Sequence, residues 1–450
     1  MPIRLPDQFW SSAALFLLPA LSLIAPSGYS YGPALLIITT MICIRLWWQK
    51  SKLSNDAKWI FVSFALLAAC WLVDNWISGE RGAAIEKPIK ILMTFPCMLY
   101  LTQRPPKALW LWNGVVIGAI GAASIAIYQA WTAFDALRGG WFRATGFIHP
   151  IQFGNFAVLL GILSLCAWNA ATSKLLKWRI WLTIGFIASL IASLLSGSRG
   201  SWLTLAIIGV IAAIYLLSKG HWRIIVPIMT LGIITAGVIS EIPQLRLQER
   251  IALITKEITS YHREGNATTS VGARLQMWNF AWELYREKPL LGWSQKGYIE
   301  EKNKRIAEHR MDPTLGDFNH PHNEILDAAS KRGTVGIFIL LFAYLAPMWI
   351  FGKNLSKAIN PTAVALSAAG LSIPITYIGF GLTEAFMPHT SAVTVYVYLC
   401  SLILATLEGI SPKNQSYHAN VPHGDFYTIS NRIPSKRLLT KASFFDQDAT

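Results

Sequence analysis

Apolar windows of roughly 15 to 23 residues recur along this chain, and as helices each reaches across a hydrocarbon layer about 30 Å thick. No water satisfies backbone N–H and C=O groups inside such a layer, so the spanning segments must satisfy their own, as helices do. About twelve windows are counted: Ser11 to Ile24, Tyr31 to Trp48, Trp59 to Ile77, Ile89 to Leu101, Ala108 to Trp131, Ile151 to Ala171, Trp178 to Leu195, Ser201 to Leu217, Ile224 to Ser240, Thr334 to Phe351, Ala363 to Thr383 and Thr390 to Leu407. The expected fold class is all-α, a polytopic membrane protein with about twelve transmembrane helices and one long extracytoplasmic helical loop. Composition agrees: 14% of residues are charged and 53% hydrophobic, where a soluble domain is about 25% charged.

The net charge of +15 would suggest a nucleic-acid partner in a soluble chain. Here topology accounts for it, because short cytoplasmic loops collect Lys and Arg. One alternating set of segments holds Arg4; Arg45, Lys50, Lys52 and Lys58; Arg104 and Lys107; Lys174, Lys177 and Arg179; Lys219 and Arg223; and Lys353 and Lys357. The opposite short segments hold fewer, chiefly Arg81, Lys87, Lys90, Arg138, Arg143 and Arg199. The first set is assigned to the cytoplasm, with both termini, and nucleic acid is set aside.

Four regions follow: helices one to nine over 1–240, an extracytoplasmic loop over 241–333, three helices over 334–409, and a basic cytoplasmic tail over 410–450. The apolar run near residue 11 leads into further spans and reads as an uncleaved first helix. All five cysteines, Cys43, Cys70, Cys97, Cys166 and Cys400, fall in apolar stretches and read as packing residues rather than disulfide partners. The long loop opens amphipathically with Leu245, Leu247, Ile251, Ile254 and Ile258, breaks at Gly265-Asn266, and resumes as a helix bearing Leu275, Trp278 and Trp282. Such helices lie along a membrane surface.

Three motifs carry candidate chemistry. In His320-Pro321-His322-Asn323-Glu324-Ile325-Leu326, Pro321 suits a first helical turn and Gly333 a helix end. His322 then sits near a helix N-terminus, whose dipole keeps imidazole neutral and competent as a general base. The alternative is a helix-capping or water-binding ring. In Ser196-Gly197-Ser198-Arg199-Gly200-Ser201-Trp202, an arginine at the membrane mouth either clamps phosphate oxygens or snorkels to anchor a helix. In Gly272-Ala273-Arg274-Leu275-Gln276-Met277-Trp278, Arg274 opens a helix at its unfavourable end, which hints at a shared anion; a solvated face residue is the other reading. Arg143, His149, Glu384 and His389 are further outer-face groups, either holding sugar or phosphate or satisfying exposed backbone.

The chain has no Gly-x-x-x-x-Gly-Lys-Ser/Thr loop, no Cys-x-x-Cys pair and no Asp-x-Asp of the kind that holds a metal against a sugar nucleotide, which argues against a nucleotide-sugar donor. Asp317, His320 and His322 lack a fourth metal ligand at standard spacing, so no metal and no cofactor is expected.

His322-Asn323, nine residues, then Gly333-Thr334-Val335-Gly336 resembles the His-Asn/Ser/Gln, nine, Gly-x-x-Gly/Thr/Tyr pattern of O-antigen ligases. Arg199 in its Ser-Arg-Gly turn and Arg274 in Arg-Leu-x-x-Trp are similar to that family's two important arginines, and Pro289-Leu290-Leu291-Gly292 to its loop motif, with Ser294 where relatives often carry glycine. The resemblance covers roughly 140–345. It implies a metal-independent, inverting inner-membrane glycosyltransferase with a periplasmic site. The donor would be an undecaprenyl diphosphate-linked glycan and the acceptor a lipid A-core oligosaccharide, with membrane lipids as surroundings. His322, Arg199 and Arg274 would be catalytic, while Arg143, His149, His320, Asn323 and His389 would bind substrate. The wider superfamily also holds O-antigen polymerases and protein O-oligosaccharyltransferases, and a lipid-linked glycan transporter is the non-enzymatic alternative.

Overall fold

A computed structural model describes residues 8–411 apart from 49–50, 81, 139–141, 169, 171–174, 219–246 and 265–266. The expected ninth span from Ile224 to Ser240, the opening of the long loop with Leu245, the Gly265-Asn266 break and the tail from residue 412 onward lie outside the described residues, as do Arg4, Lys50, Arg81, Lys174, Lys219 and Arg223. Helices and their connections make up the rest, with no strand among the described residues.

In chain order the helices are α1 (Phe9–Leu21), α2 (Tyr31–Ile42), α3 (Ile44–Trp47), α4 (Asn55–Ser78), α5 (Ala83–Leu92), α6 (Thr94–Gln103), α7 (Ala108–Thr132), α8 (Phe134–Arg138), α9 (Pro150–Cys166), α10 (Leu175–Ser196), α11 (Arg199–Ser218), α12 (Leu247–Glu264), α13 (Ser270–Glu287), α14 (Ser294–Ala307), α15 (Glu324–Lys357), α16 (Pro361–Gly381) and α17 (Thr390–Gly409). Six are long and apolar enough to cross a membrane: α4, α7, α10, α15, α16 and α17. Three more, in α1, α9 and α11, are apolar but shorter.

Two expected spans are broken. Ile89 to Leu101 divides at Met93 into α5 and α6, because Pro96 in the first turn of α6 has no N–H for the Leu92 carbonyl and its ring crowds that oxygen. Tyr31 to Trp48 divides at Cys43, where the Trp47 indole donates to the Thr40 carbonyl at 2.9 Å and takes the acceptor that Ile44 N–H would use in an unbroken helix.

The innermost element is α17, buried along nearly its whole length against α16, α6 and α5. Its Tyr396 stacks with Tyr344 of α15 and Tyr377 of α16, and Phe380 and Phe386 complete an aromatic floor. Each such ring contact adds about 0.5–1.5 kcal/mol beyond burial. The hydroxyls are spent locally: Tyr377 donates to the Ala392 carbonyl and Tyr396 to that of Ala343, both at 2.8 Å.

Gly333 interrupts α15 with φ 62 and ψ −158, a conformation open essentially to glycine. A Cβ there would lie 2.3 Å from the Leu290 oxygen. The expected helix end at Gly333 is thus a kink, which seats the 289–292 loop against it and turns the short helix 324–332 toward the residues described next.

Candidate active site

The short helix begins at Glu324, later than Pro321 suggests. Asn323 is the N-cap: its Oδ1 accepts from Leu326 N at 3.0 Å and its Nδ2 donates to the Leu382 carbonyl at 3.4 Å. Pro321 therefore stands outside the helix, and the reading of it as part of the first turn is corrected. His322 precedes the cap with φ 51, a left-handed conformation uncommon for a side-chain-bearing residue. Two contacts hold it there. Trp278 Nε1 donates to the Pro321 carbonyl at 2.9 Å, and His322 Nδ1 lies 2.7 Å from Glu384 Oε2.

Glu384 is the hub. It lies in the connection between α16 and α17, is 4% exposed, and also meets His389 Nε2 at 3.2 Å and His320 Nε2 at 3.3 Å. Burial works to raise the carboxyl, but hydrogen bonds from His322 and His389 and the charges of the neighbouring rings overcome it and hold the group well below the usual carboxylate range. An ionised carboxylate only accepts, so each facing nitrogen carries its proton. His322 is thereby fixed with N–H on Nδ1, which leaves Nε2 as the free proton acceptor. His320 completes its own pairing, accepting His322 N–H on Nδ1 at 3.4 Å. Burial pushes its ring down to about 4, which keeps it neutral. The donor atoms of His320, His322 and Glu384 all lie within 4.8 Å of one another, a spacing a metal ion could bridge; Glu384 thus replaces Asp317 in that candidate set.

The arginines arrive from three other elements. Arg143 lies over the turn at Gly197 and donates from Nε to the Ser196 carbonyl at 3.0 Å. Gln129 fixes the loop that carries it, its Oε1 accepting from Thr145 N at 3.0 Å and Gly146 N at 3.1 Å. Arg199 opens α11, and the next residue, Gly200, sits so close to Thr383 that a Cβ would fall 2.0 Å from its Oγ1. Only a missing side chain lets the Arg199 turn reach the residue adjoining Glu384.

Arg274 belongs to α13, which Thr269 caps through Gly272 N at 3.1 Å; the helix therefore opens earlier than expected and Arg274 lies in its second turn. It shares a face with Trp278, four residues on, whose indole is tied to Pro321. Burial lowers the Arg274 guanidinium, with Glu384 opposing and Arg199 reinforcing; burial likewise lowers Arg143, aided by the charges of Arg199 and Arg274. Among the described residues none of the three has a carboxylate within ion-pair distance. His149 caps α9 through Ile151 N at 3.4 Å, and its electrostatic neighbours are Glu384, Arg143, His389 and His322.

Apart from Asp317, the candidate site residues singled out in the sequence adjoin one region. Asn323 and His320 hold the loop, His389 and His322 share the carboxylate, and the three arginines sit around them. Sequence reasoning missed the part Glu384 plays, and the tie from Trp278 to Pro321. The signal for the first was present: a glutamate at the end of an apolar span is costly and needs partners.

Residues 184–341 match the family model described as O-antigen ligase. The chain is 27% identical over 387 residues to an uncharacterized protein of Haemophilus influenzae, covering 85% of this chain and 94% of that one. It is 31% identical over 180 residues to an O-antigen ligase of Escherichia coli, covering 40% of this chain and 42% of the ligase. An O-antigen ligase of Salmonella typhimurium is 27% identical over 186 residues, covering 41% of this chain and 42% of its own. The chain thus spans less than half the length of the two ligases it matches. Over residues 184–341, the stretch that holds Arg199, Arg274 and His322, this chain matches the O-antigen ligase family model.

Proposed function

We propose that the chain is a glycosyltransferase of the ligase type, taking a glycan from a polyprenyl diphosphate carrier, undecaprenyl diphosphate, and placing it on a sugar hydroxyl of a lipid A-core oligosaccharide. One observation carries the reading: three guanidinium groups, none with a carboxylate at ion-pair distance among the described residues, neighbour one another, and Arg274 neighbours the buried carboxylate to which the His322 Nδ1 is tied. Arg199 and Arg274, with Arg143 beside them, neutralise the diphosphate as charge develops on the leaving oxygen. His322 Nε2 takes the acceptor proton while the acceptor oxygen attacks the anomeric carbon. The bond from that carbon to the carrier phosphate breaks, its electron pair leaves with the diphosphate, and the anomeric configuration inverts. The attacking oxygen, the base and the anion site are all supplied without a cofactor step. The reading places the chain in the bacterial inner membrane, crossing it about twelve times, with both termini in the cytoplasm and the site on the periplasmic face.

The test is turnover of a labelled carrier-linked glycan by the purified protein in detergent, with either lipid A-core or a second carrier-linked glycan as acceptor. Product on lipid A-core is expected, and His322→Ala should lower its rate about 10²-fold or more. Extension of the second carrier-linked glycan instead would assign polymerase activity. No turnover with either, under conditions where the donor binds, would assign transport.

A further inference from the structure

We propose that the Pro289-Leu290-Leu291-Gly292 loop is an interfacial anchor that enters the hydrocarbon edge of the bilayer beside α15, and that this fixes the depth of the site. The inference requires that α15 crosses the membrane, and nothing about which glycan is transferred.

Leu290 and Leu291 are 70% and 71% exposed and adjacent in sequence, in a loop between Pro289 and Gly292. Below them on α15, Val335, Phe338, Leu345 and Trp349 are also exposed, at spacings that place them along one helical face. That stripe faces lipid if the helix spans, and the two leucines continue it past the helix start. Their height is fixed by main-chain bonds: Thr334 N donates to the Pro289 carbonyl at 2.7 Å and Val335 N to that of Leu290 at 3.2 Å. Gly292 N donates to the Lys288 carbonyl at 3.0 Å, and Thr334 Oγ1 to that of Pro289 at 2.8 Å. Irregular backbone leaves water only when its polar groups are satisfied this way.

The surroundings fit an interface. Trp282 and Tyr285 stack on the α13 side, with the Tyr285 hydroxyl 3.0 Å from Thr334 Oγ1, as in the aromatic belts of membrane proteins. Lys288 lies over the Trp293 ring at 3.8 Å and Arg286 is exposed beside it, both suited to anionic headgroups. The anchor joins α13, which carries Arg274, to the Gly333 kink, beyond which lies His322. Its depth therefore sets where the site meets the chain-bearing end of a lipid substrate.

Photo-cross-linking tests it without reading turnover, so failure of the proposed transfer leaves it untouched. Benzoylphenylalanine replaces Leu290, Leu291, Phe338 or Glu300 in the full chain, reconstituted in phosphatidylethanolamine and phosphatidylglycerol vesicles, and lipid adducts are read by mass spectrometry. Adducts at 290, 291 and 338 should exceed those at 300 about tenfold. Adducts at 338 with 290 and 291 no higher than 300 would overturn the anchor. A lack of adducts at 338 would also overturn it, by removing the lipid-facing stripe on which it depends.

Discussion

Arg305 and Arg199 live opposite lives. Arg305 is 5% exposed and meets three carboxylates, with Nε 2.9 Å from Glu301, Nη2 3.1 Å from Glu287, and Nη1 against Glu283. It lies against Phe280 in the small apolar cluster that binds α13 to α14. Burial works against its charge, and the three glutamates more than restore it, leaving its pKa raised. Arg199 has no carboxylate at ion-pair distance among the described residues, and its neighbours Arg143 and Arg274 are pushed the other way by burial and by the charge of Arg199. An arginine that brings its own counter-charges is a rivet; on the proposed function, a group of arginines that repel each other is kept for the carrier's diphosphate.

That contrast can be broken most sharply at the anion side. Arg199→Ala and Arg274→Ala should each lower turnover about 10²–10³-fold while the thermal unfolding midpoint in detergent stays at the wild-type value; parallel loss of fold and activity would make them rivets too. The hub offers a second test, through pH. The folded chain keeps His320 neutral down to about 4, whereas an ordinary imidazole takes a proton near 6.5. Between those values the unfolded chain binds a proton the folded chain refuses, so stability should fall as pH falls from about 6.5 to 4, by up to about 3 kcal/mol. Glu384, depressed from its ordinary 4.5, adds its own loss only below that pH. Unfolding midpoints across this range should show the slope, and His320→Gln should flatten it above 4.5.

Arg305→Ala should do the reverse of the first pair: stability falls by about 2 kcal/mol, tempered because two of its carboxylate partners are half-exposed, and the folded fraction keeps its specific activity. The smallest effect belongs to Ser294→Gly. Ser294 has φ 65, which costs an L-residue about 1 kcal/mol, but its Oγ accepts from Gly297 N at 3.2 Å, a cap of similar size. Denaturant midpoints should differ by no more than about 0.5 kcal/mol.

The arginines and His322 were legible because each sits in a local pattern: a glycine-serine turn, a cation in an early helical turn, a histidine before a capped helix. Apolar length located the helices well, and failed where a short-range event intervened, such as Pro96 or the Trp47 indole. Glu384 was harder to read. It lies 62 residues from His322, and only the packing of α16 and α17 beneath α15 brings the two together. The helix dipole invoked for His322 says nothing of the ring's orientation, which comes from that distant carboxylate. The close contact that Gly200 permits with Thr383 is likewise one that no local pattern announces.

The position of Glu384, in the connection before the final membrane helix, has a consequence for how the protein comes into being. A ribosome that has made residues 1–383 has already made Arg143, Arg199, Arg274 and His322, yet not the carboxylate that holds the His322 ring. On the proposed function, the ring is therefore aimed only late in synthesis, once the connection that precedes the last apolar helix has been made.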